Sequence, residues 1–336
     1  MANEQTDREL RDDYDVVVVG GGAAGLSGAL TLARARRSVL VVDAGQPRNT
    51  PAAGVHGLLG HDGIPPAELL ARGRAEVRGY GGEVVTGQVV AAHREGDGFT
   101  VELAGGGVVR ARRILLATGL VDELPDVPGL RQRWGQQVLH CPYCHGWEVR
   151  DRPIVVLGAS AMSVHQALLF RQWSADLTYV THTNAAPAAE QAEQLAARGI
   201  RVVEAEVAAV GTDGESLAGL RLADGSLLPC EAVAVAPRMV ARADVVAGLG
   251  LTVVPHPSGM GEHVPADQTG RTDVPGIWAA GNVTDLSAAV GPAAAAGAVA
   301  AGQINMDLVM ADLWERKSTD LSLRARRALP DVLRAF

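Results

Sequence analysis

Aromatic side chains are scarce: five Trp, four Tyr and three Phe in 336 residues. Alanine and valine must fill the interior instead, which suits helix–sheet layers better than an aromatic-rich sandwich. Cysteine is scarcer still. Three in a chain of this length do not make a disulfide framework, so an intracellular, cytoplasmic setting is expected. Positive charge is in deficit, with 30 Lys and Arg against 38 Asp and Glu, a net charge of −8. That argues against nucleic acid as a main partner, because phosphate binding wants a basic face. No apolar run reaches the ~20 residues of a membrane span, since Gly, Pro and charge interrupt the longest candidates, and no membrane partner is expected. Residues 1–13 are polar and charged, with no apolar core or cleavage site; they read as a disordered tail and not a secretory signal. What remains is ample. Hydrophobic residues make up 47% of the chain, enough for a sizeable core, and the length predicts two domains.

Asp15 opens a run of four valines, apolar on both faces as a fully buried strand requires. Gly20-Gly21-Gly22-Ala23-Ala24-Gly25 follows, then a helix to Arg37 with Arg34, Arg36 and Arg37 in its last turn, then a strand ending at Asp43. This is a βαβ unit. Beyond a glycine-rich stretch over 45–63, the runs Glu83–Val90, Phe99–Leu103 and Val108–Arg110 predict a small antiparallel meander. Ile114–Ala117 reads as another buried strand. The pattern then restarts: Pro153–Leu157 as a strand, Gly158–Ser163 as a turn, Val164–Trp173 as a helix and Leu177–Val180 as a strand. Ile277–Asn282 and an alanine-rich helix from Pro292 return to the first idiom. The expected fold is α/β, with two Rossmann-like three-layer nucleotide-binding domains, the second inserted in the first. The predicted boundaries are 14–119 with 248–310 for the first domain and 120–247 for the insertion. Residues 311–336 read as a basic helical tail carrying Arg316, Lys317, Arg324, Arg326, Arg327 and Arg334, a surface or dimer-contact helix.

Gly20-x-Gly22-x-x-Gly25 lies between a strand and a helix, with Asp43 closing the next strand. The first glycine permits the turn, the second lets a pyrophosphate approach the backbone, and the third allows close helix–strand packing. Helix N–H groups face the phosphates, and the Asp43 carboxylate can accept from a ribose. The repeated module and the distal Ala280-Gly281-Asn282 loop favour FAD over a nicotinamide. Cys141-Pro142-Tyr143-Cys144 can close a small disulfide ring and divide labour, one thiol exposed and one facing an electron acceptor. Zinc is the alternative, flanked by His140 and His145, but no second ligand pair supports it and no metal is expected. Cys230 reads as a core residue. His145, next to the pair, can carry a proton to and from a thiol.

Ala117-Thr118-Gly119 after a strand, Cys141–Gly146 before the second glycine loop and Ala280-Gly281-Asn282 before a helix resemble, in that order, the low-molecular-weight thioredoxin reductases over about residues 14–308. The resemblance implies FAD held by Gly20, Gly22, Ala23, Ala24, Gly25, Asp43, Ala44, Gln46, Arg48, Asn49, His61, Val90, Ala117, Thr118, Gly119, Gly281, Asn282, Ala289 and Val290. It implies Cys144 as the flavin-proximal thiol, Cys141 as the exchanging one, and His145 where the family carries an acid–base aspartate. A homodimer is expected.

The sequence also departs from that family. In Gly158-Ala159-Ser160-Ala161-Met162-Ser163 only the first key glycine remains, and Ser160 would crowd a pyrophosphate. Thr181-His182-Thr183-Asn184 follows Val180, where NADPH-using relatives place an arginine pair, and no Arg or Lys occurs between Arg171 and Arg198. Asn282 replaces an aspartate, and small residues, Ser287 to Val290, stand at the expected flavin edge. These departures resemble the FAD-dependent dithiol oxidases of disulfide natural-product pathways, of the holomycin and gliotoxin type. That resemblance implies a small-molecule dithiol as substrate and O2 as acceptor, giving hydrogen peroxide. Two other readings stay open: an NADPH-dependent thioredoxin reductase, and a flavin-binding redox sensor without turnover.

Overall fold

A computed structural model describes residues 10–242, 245 and 247–332, with helix side chains described as far as Lys317. Strand β1 (Asp13–Val19), helix α1 (Ala23–Arg34) and strand β2 (Val39–Asp43) form the first βαβ unit. The valine run does what its two apolar faces require: Val17 and Val19 enter one core cluster, Val16 and Val18 the opposite one. Each buried valine contributes about 1.5–3 kcal/mol. Helix α2 (Pro66–Gly79) follows, opened by proline at its first turn, and it went unseen in the sequence.

The expected meander is corrected here. The run Glu83–Val90 splits into β3 (Glu83–Thr86) and β4 (Val89–Glu95), and β3 joins β2 in parallel. Strand β5 (Gly98–Leu103) pairs antiparallel with β4 and with β6 (Val108–Leu116). Strand β6 merges two expected strands and runs beside β1 from Arg110 to Leu116. Strands β7 (Leu120–Glu123) and β8 (Val138–Leu139) lead to the one-turn helix α3 (Pro142–His145).

The second module follows as β9 (Ile154–Leu157), α4 (Ser163–Phe170), β10 (Leu177–Val180), α5 (Ala189–Ala197) and β11 (Arg201–Val203). An antiparallel sheet of β12 (Val207–Asp213), β13 (Ser216–Leu222) and β14 (Leu227–Pro229) precedes β15 (Ala232–Val235). The parallel order is β11-β10-β9-β15-β8. Strand β16 (Arg238–Ala241) then pairs antiparallel with β7, so the insertion enters and leaves through neighbouring strands. Strands β17 (Val254–Pro255) and β18 (Gly261–His263) extend that sheet, and β19 (Ile277–Ala279) returns to pair with β6. Helix α6 (Val290–Val332) closes the chain. These are the two Rossmann-like domains, one inserted in the other.

Two expectations shift at the ends. Leu10 packs against the first core and Asp13 already lies in β1, so part of the expected disordered tail is structured; residues 1–9 lie outside the described residues. Helix α6 runs unbroken past residue 310, and its stretch Val290–Lys317 is long and apolar enough to cross a membrane by length and composition. Ala300, Ala301, Ile304 and Leu308 on that stretch are nevertheless buried in the same core cluster as α1. The side chains of Arg324, Arg326 and Arg327, and residue Arg334, lie outside the described residues.

Candidate active site

A cavity of about 810 Å3 runs from the first glycine loop to the Cys141–Cys144 pair and the distal loop after β19. Gly20 turns the chain with φ +112°, and a Cβ there would lie 2.3 Å from the Ala117 carbonyl oxygen. Gly20, Gly22, Ala23, Ala24, Asp43, Ala44, Gln46, Arg48, Asn49, Ala117, Thr118, Gly119, Gly281, Asn282, Ala289 and Val290 all line the cavity. Gly25 sits behind the wall, where a Cβ would come within 1.9 Å of the Gly20 carbonyl oxygen; it packs the helix on the strand. The Asp43 carboxylate accepts from the Gly45 N–H at 2.9 Å and from Arg74 of α2 at 3.2 Å.

Two expected cofactor residues are corrected. Val90 is exposed and Val89 lines the cavity, because the break between β3 and β4 resets the strand alternation. His61 is also exposed: its N–H closes a turn on the Leu58 carbonyl, while a Val55–Ile64 bridge pins the loop base and leaves His56 on the cavity side.

Asn282 explains its own departure from an acid. Its amide donates to the carbonyls of Asp285 and Ala288, each at 2.9 Å, stapling the distal loop. A carboxylate cannot donate those bonds.

Cys141 caps α3, with Pro142 at the first helical position. The pair is a dithiol in this structure. Cys144 donates to the Cys141 sulfur, and that bond, helped by the Cys144 and Tyr143 N–H groups and the Arg48 charge, brings the Cys141 thiol down to about 7 against burial. Cys144 moves the other way, pushed up because it is the donor and is itself buried. The pair thus releases its first proton from Cys141. His140 fixes the backbone beside it: its ring reaches the Val235 carbonyl at 3.3 Å, and its own carbonyl accepts from Gln166 of α4 at 2.7 Å. Gln166 is buried, and nothing in the sequence flagged it.

His145 lines the same cavity, but neither ring nitrogen has a hydrogen-bond partner, a cysteine included. Burial pushes its pKa down, so it is neutral at pH 7. Tyr143 and Trp147 stand exposed beside the pair, Tyr143 meeting Trp173 edge-on with 5.6 Å between ring centres. A chain with few aromatics gathers three of them here. Among the described residues no three or more His, Cys, Asp or Glu converge as a metal site. Cys230 is buried in the second domain's core, its thiol pushed up to about 12 by burial.

The second glycine loop is closed on itself. The Ser163 hydroxyl accepts from the Ala159 and Ser160 N–H groups, each at 3.2 Å, and the Ser160 hydroxyl accepts from Met162 at 3.2 Å. The Asn184 amide donates to the Ser160 carbonyl at 2.8 Å. The N–H groups of Ala159, Ser160 and Met162, at the place where a phosphate would approach, thus already have partners.

The model for pyridine nucleotide-disulphide oxidoreductases matches residues 14–302. The chain belongs to that family. It is 31% identical over 316 residues to thioredoxin reductase tcpT of Claviceps purpurea, covering 90% of this chain and 97% of that one. With a probable thioredoxin reductase of Arthroderma benhamiae the match is local: 36% over 152 residues, 43% of this chain and 38% of that protein. The crystal structure of HlmI superposes with a TM-score of 0.87 at 44% identity, covering 93% of this chain and 98% of that one. An oxidoreductase from Agrobacterium tumefaciens superposes at 0.84 with 37% identity, over 89% and 99% of the two chains. The chain is a thioredoxin reductase-like disulfide oxidoreductase, and its cofactor is FAD. The cavity fits that cofactor on its own terms: a Cβ at Gly22 would meet nothing within 4 Å, leaving open space where the backbone must admit a pyrophosphate.

Proposed function

We propose that this protein is a dithiol oxidase that closes a disulfide in a small natural-product dithiol and passes the electrons to oxygen. The observation that carries the reading is the second glycine loop, whose N–H groups are capped by Ser160 and Ser163. With no Arg or Lys between Arg171 and Arg198, the adenosine 2′-phosphate of NADPH also lacks the cation that would follow Val180. The 44% identity to HlmI and the exposed rings of Tyr143 and Trp147, a platform for a small apolar molecule, support the same reading.

One substrate thiolate attacks the Cys141 sulfur of the Cys141–Cys144 disulfide, and Cys144 leaves with the electron pair. The second substrate thiol attacks the substrate sulfur of that mixed disulfide and displaces Cys141. The substrate loses two electrons and two protons, and the cysteines become a dithiol. Cys141, its thiol brought down to about 7, is the better leaving group in the displacement that frees product. Neutral His145 accepts the proton of the incoming thiol. Gly20–Ala24, Asp43, Thr118 and Asn282 would hold FAD, which would supply a two-electron acceptor for the dithiol, with O2 as the terminal oxidant and hydrogen peroxide as its product. We place the enzyme in the cytoplasm as a homodimer, the latter testable by sedimentation.

The relatives named thioredoxin reductases favour a second reading, the same pair run in reverse from NADPH to a thioredoxin. Anaerobic mixing separates the two. The flavin band is expected to bleach with a dithiol and to stay intact with NADPH; an oxygen electrode should then show one peroxide per disulfide. Prompt bleaching by NADPH would establish the reductase instead. In Cys141→Ser, a long-wavelength band at alkaline pH is expected from the remaining thiol; its appearance only in Cys144→Ser would reverse the roles.

A further inference from the structure

Helix α2 has a thin apolar face, and Arg74 stands on it. The buried residues of the helix are Pro66, Leu70 and Val77. Arg74 falls four residues after Leu70 and three before Val77, on the same inner stripe. The helix lies close on α1 at this point, where a Cβ at Gly73 would come within 3.1 Å of the Leu26 side chain. A guanidinium on an inner stripe is costly unless it is paired. Arg74 is paired: its Nη1 donates to Asp43 Oδ2 at 3.2 Å, with the two side chains 30% and 14% exposed.

Asp43 is confined from three sides. Oδ1 accepts from the Gly45 N–H at 2.9 Å and Oδ2 from Arg74. The third side is Gly21, a position between two motif glycines where the motif itself admits any residue. A Cβ there would lie 2.4 Å from both Cγ and Oδ2 of Asp43, so the carboxylate rests against the loop only because residue 21 has no side chain. These two bonds use two of the roughly four lone-pair sites of a carboxylate, which leaves acceptor capacity for a ligand. Asp43 lines the cavity with Gly20, Gly21 and Gly22, and Leu69 and Leu70 of α2 line it too. A carboxylate beside a pyrophosphate loop also repels the anion the loop is built to admit, and an attached cation offsets that charge.

We propose that Arg74 is a positioning residue for the cofactor: it holds the Asp43 carboxylate in one rotamer against the glycine loop, ready for the ribose of FAD, and offsets its charge beside the pyrophosphate. The inference depends on FAD as the cofactor, and on neither the substrate nor the electron acceptor proposed above. Its test is the FAD dissociation constant of the holoenzyme, read on dilution from the recovered fluorescence of free flavin. Asp43→Ala should weaken FAD by about tenfold or more, the loss of a charge-assisted hydrogen bond. Arg74→Met keeps the stem without the charge and should weaken FAD by about three- to tenfold. Threefold is the effect of releasing the carboxylate among its three staggered χ1 wells. Added to Asp43→Ala, Arg74→Met should change nothing further, because Arg74 acts through that carboxylate.

A merely structural role, seating α2 on α1, would weaken FAD equally with Asp43 present or absent. That outcome, or a loss below threefold in Arg74→Met, would overturn the inference. Should Arg74→Met not fold, Arg74→Gln takes its place with the same expectation, and unchanged binding there overturns it equally. Full affinity in Asp43→Ala would remove both the ribose role of Asp43 and this role of Arg74. Absent oxygen uptake with the expected dissociation constants would refute the oxidase reading alone.

Discussion

The two glycine loops stand at the same place in two βαβ units and have opposite local chemistry. In the first, Gly22 faces open space on the cavity, and no hydroxyl follows within the loop. In the second, Ser160 and Ser163 turn their hydroxyls back onto the loop's N–H groups. Both loops keep the first glycine for the same steric reason: a Cβ at Gly158 would lie 2.4 Å from the Thr181 carbonyl oxygen, as one at Gly20 would crowd Ala117. A duplicated module can thus keep its fold while the anion site at its helix start is shut from within. Folding needs the glycine that allows the turn; binding needs N–H groups that nothing else has taken.

The comparison breaks most visibly at Gly25. A valine there drives its side chain into the Gly20 carbonyl, and a loss of about 4–5 kcal/mol or more is expected, seen as failure to obtain soluble folded protein. Gly22→Val separates binding from folding: circular dichroism should match the wild type, while the purified protein is colourless. Yellow protein with full flavin occupancy would remove the first loop from the cofactor site. In the second loop Ser163→Ala strips the acceptor from two N–H groups, and about 1–3 kcal/mol is expected to be lost in denaturant unfolding. NADPH should still fail to bleach the flavin in that variant, because no cation follows Val180.

The smallest effect is a pH dependence that falls mostly on the second module, since of the histidines with lowered pKa values only His263, on β18, lies outside it. His140, His145 and His182 all have pKa values lowered by burial. The folded state therefore binds fewer protons than the unfolded one, and their contribution is complete above the ordinary value of 6.5 and lost as pH falls through the lowered ones. Hydrogen exchange should show protection in β8–β10 weakening below pH 6.5 before that of β1 and β2. Equal weakening in both modules would remove the contrast.

Much of the site was legible because it is local. The Gly20–Gly25 loop, Asp43, Ala117–Gly119 and the Cys141–Cys144 pair each sit at the end of a short apolar strand, and the strand announces where its last residue emerges. Val90 and His61 were misplaced for want of one turn each: a break at residues 87–88 shifts the strand phase, and the loop closed by Val55 and Ile64 turns His61 outward. Helix α2 escaped notice because its apolar face is thin, with only Pro66, Leu70 and Val77 buried.

By itself the sequence determined the two βαβ units, their order, the cofactor loop and the redox pair. Each is written in neighbouring residues whose sterics act over a few bonds. Only the tertiary structure decided that Arg48 pairs with Asp122, that Gln166 holds the backbone before Cys141, and that Ser163 closes the second loop. Those partners are separated in the chain or depend on which way a hydroxyl turns. Distance along the chain carries no record of them until the sheets have formed and brought β7, α4 and the loop after β2 to one wall of the cavity.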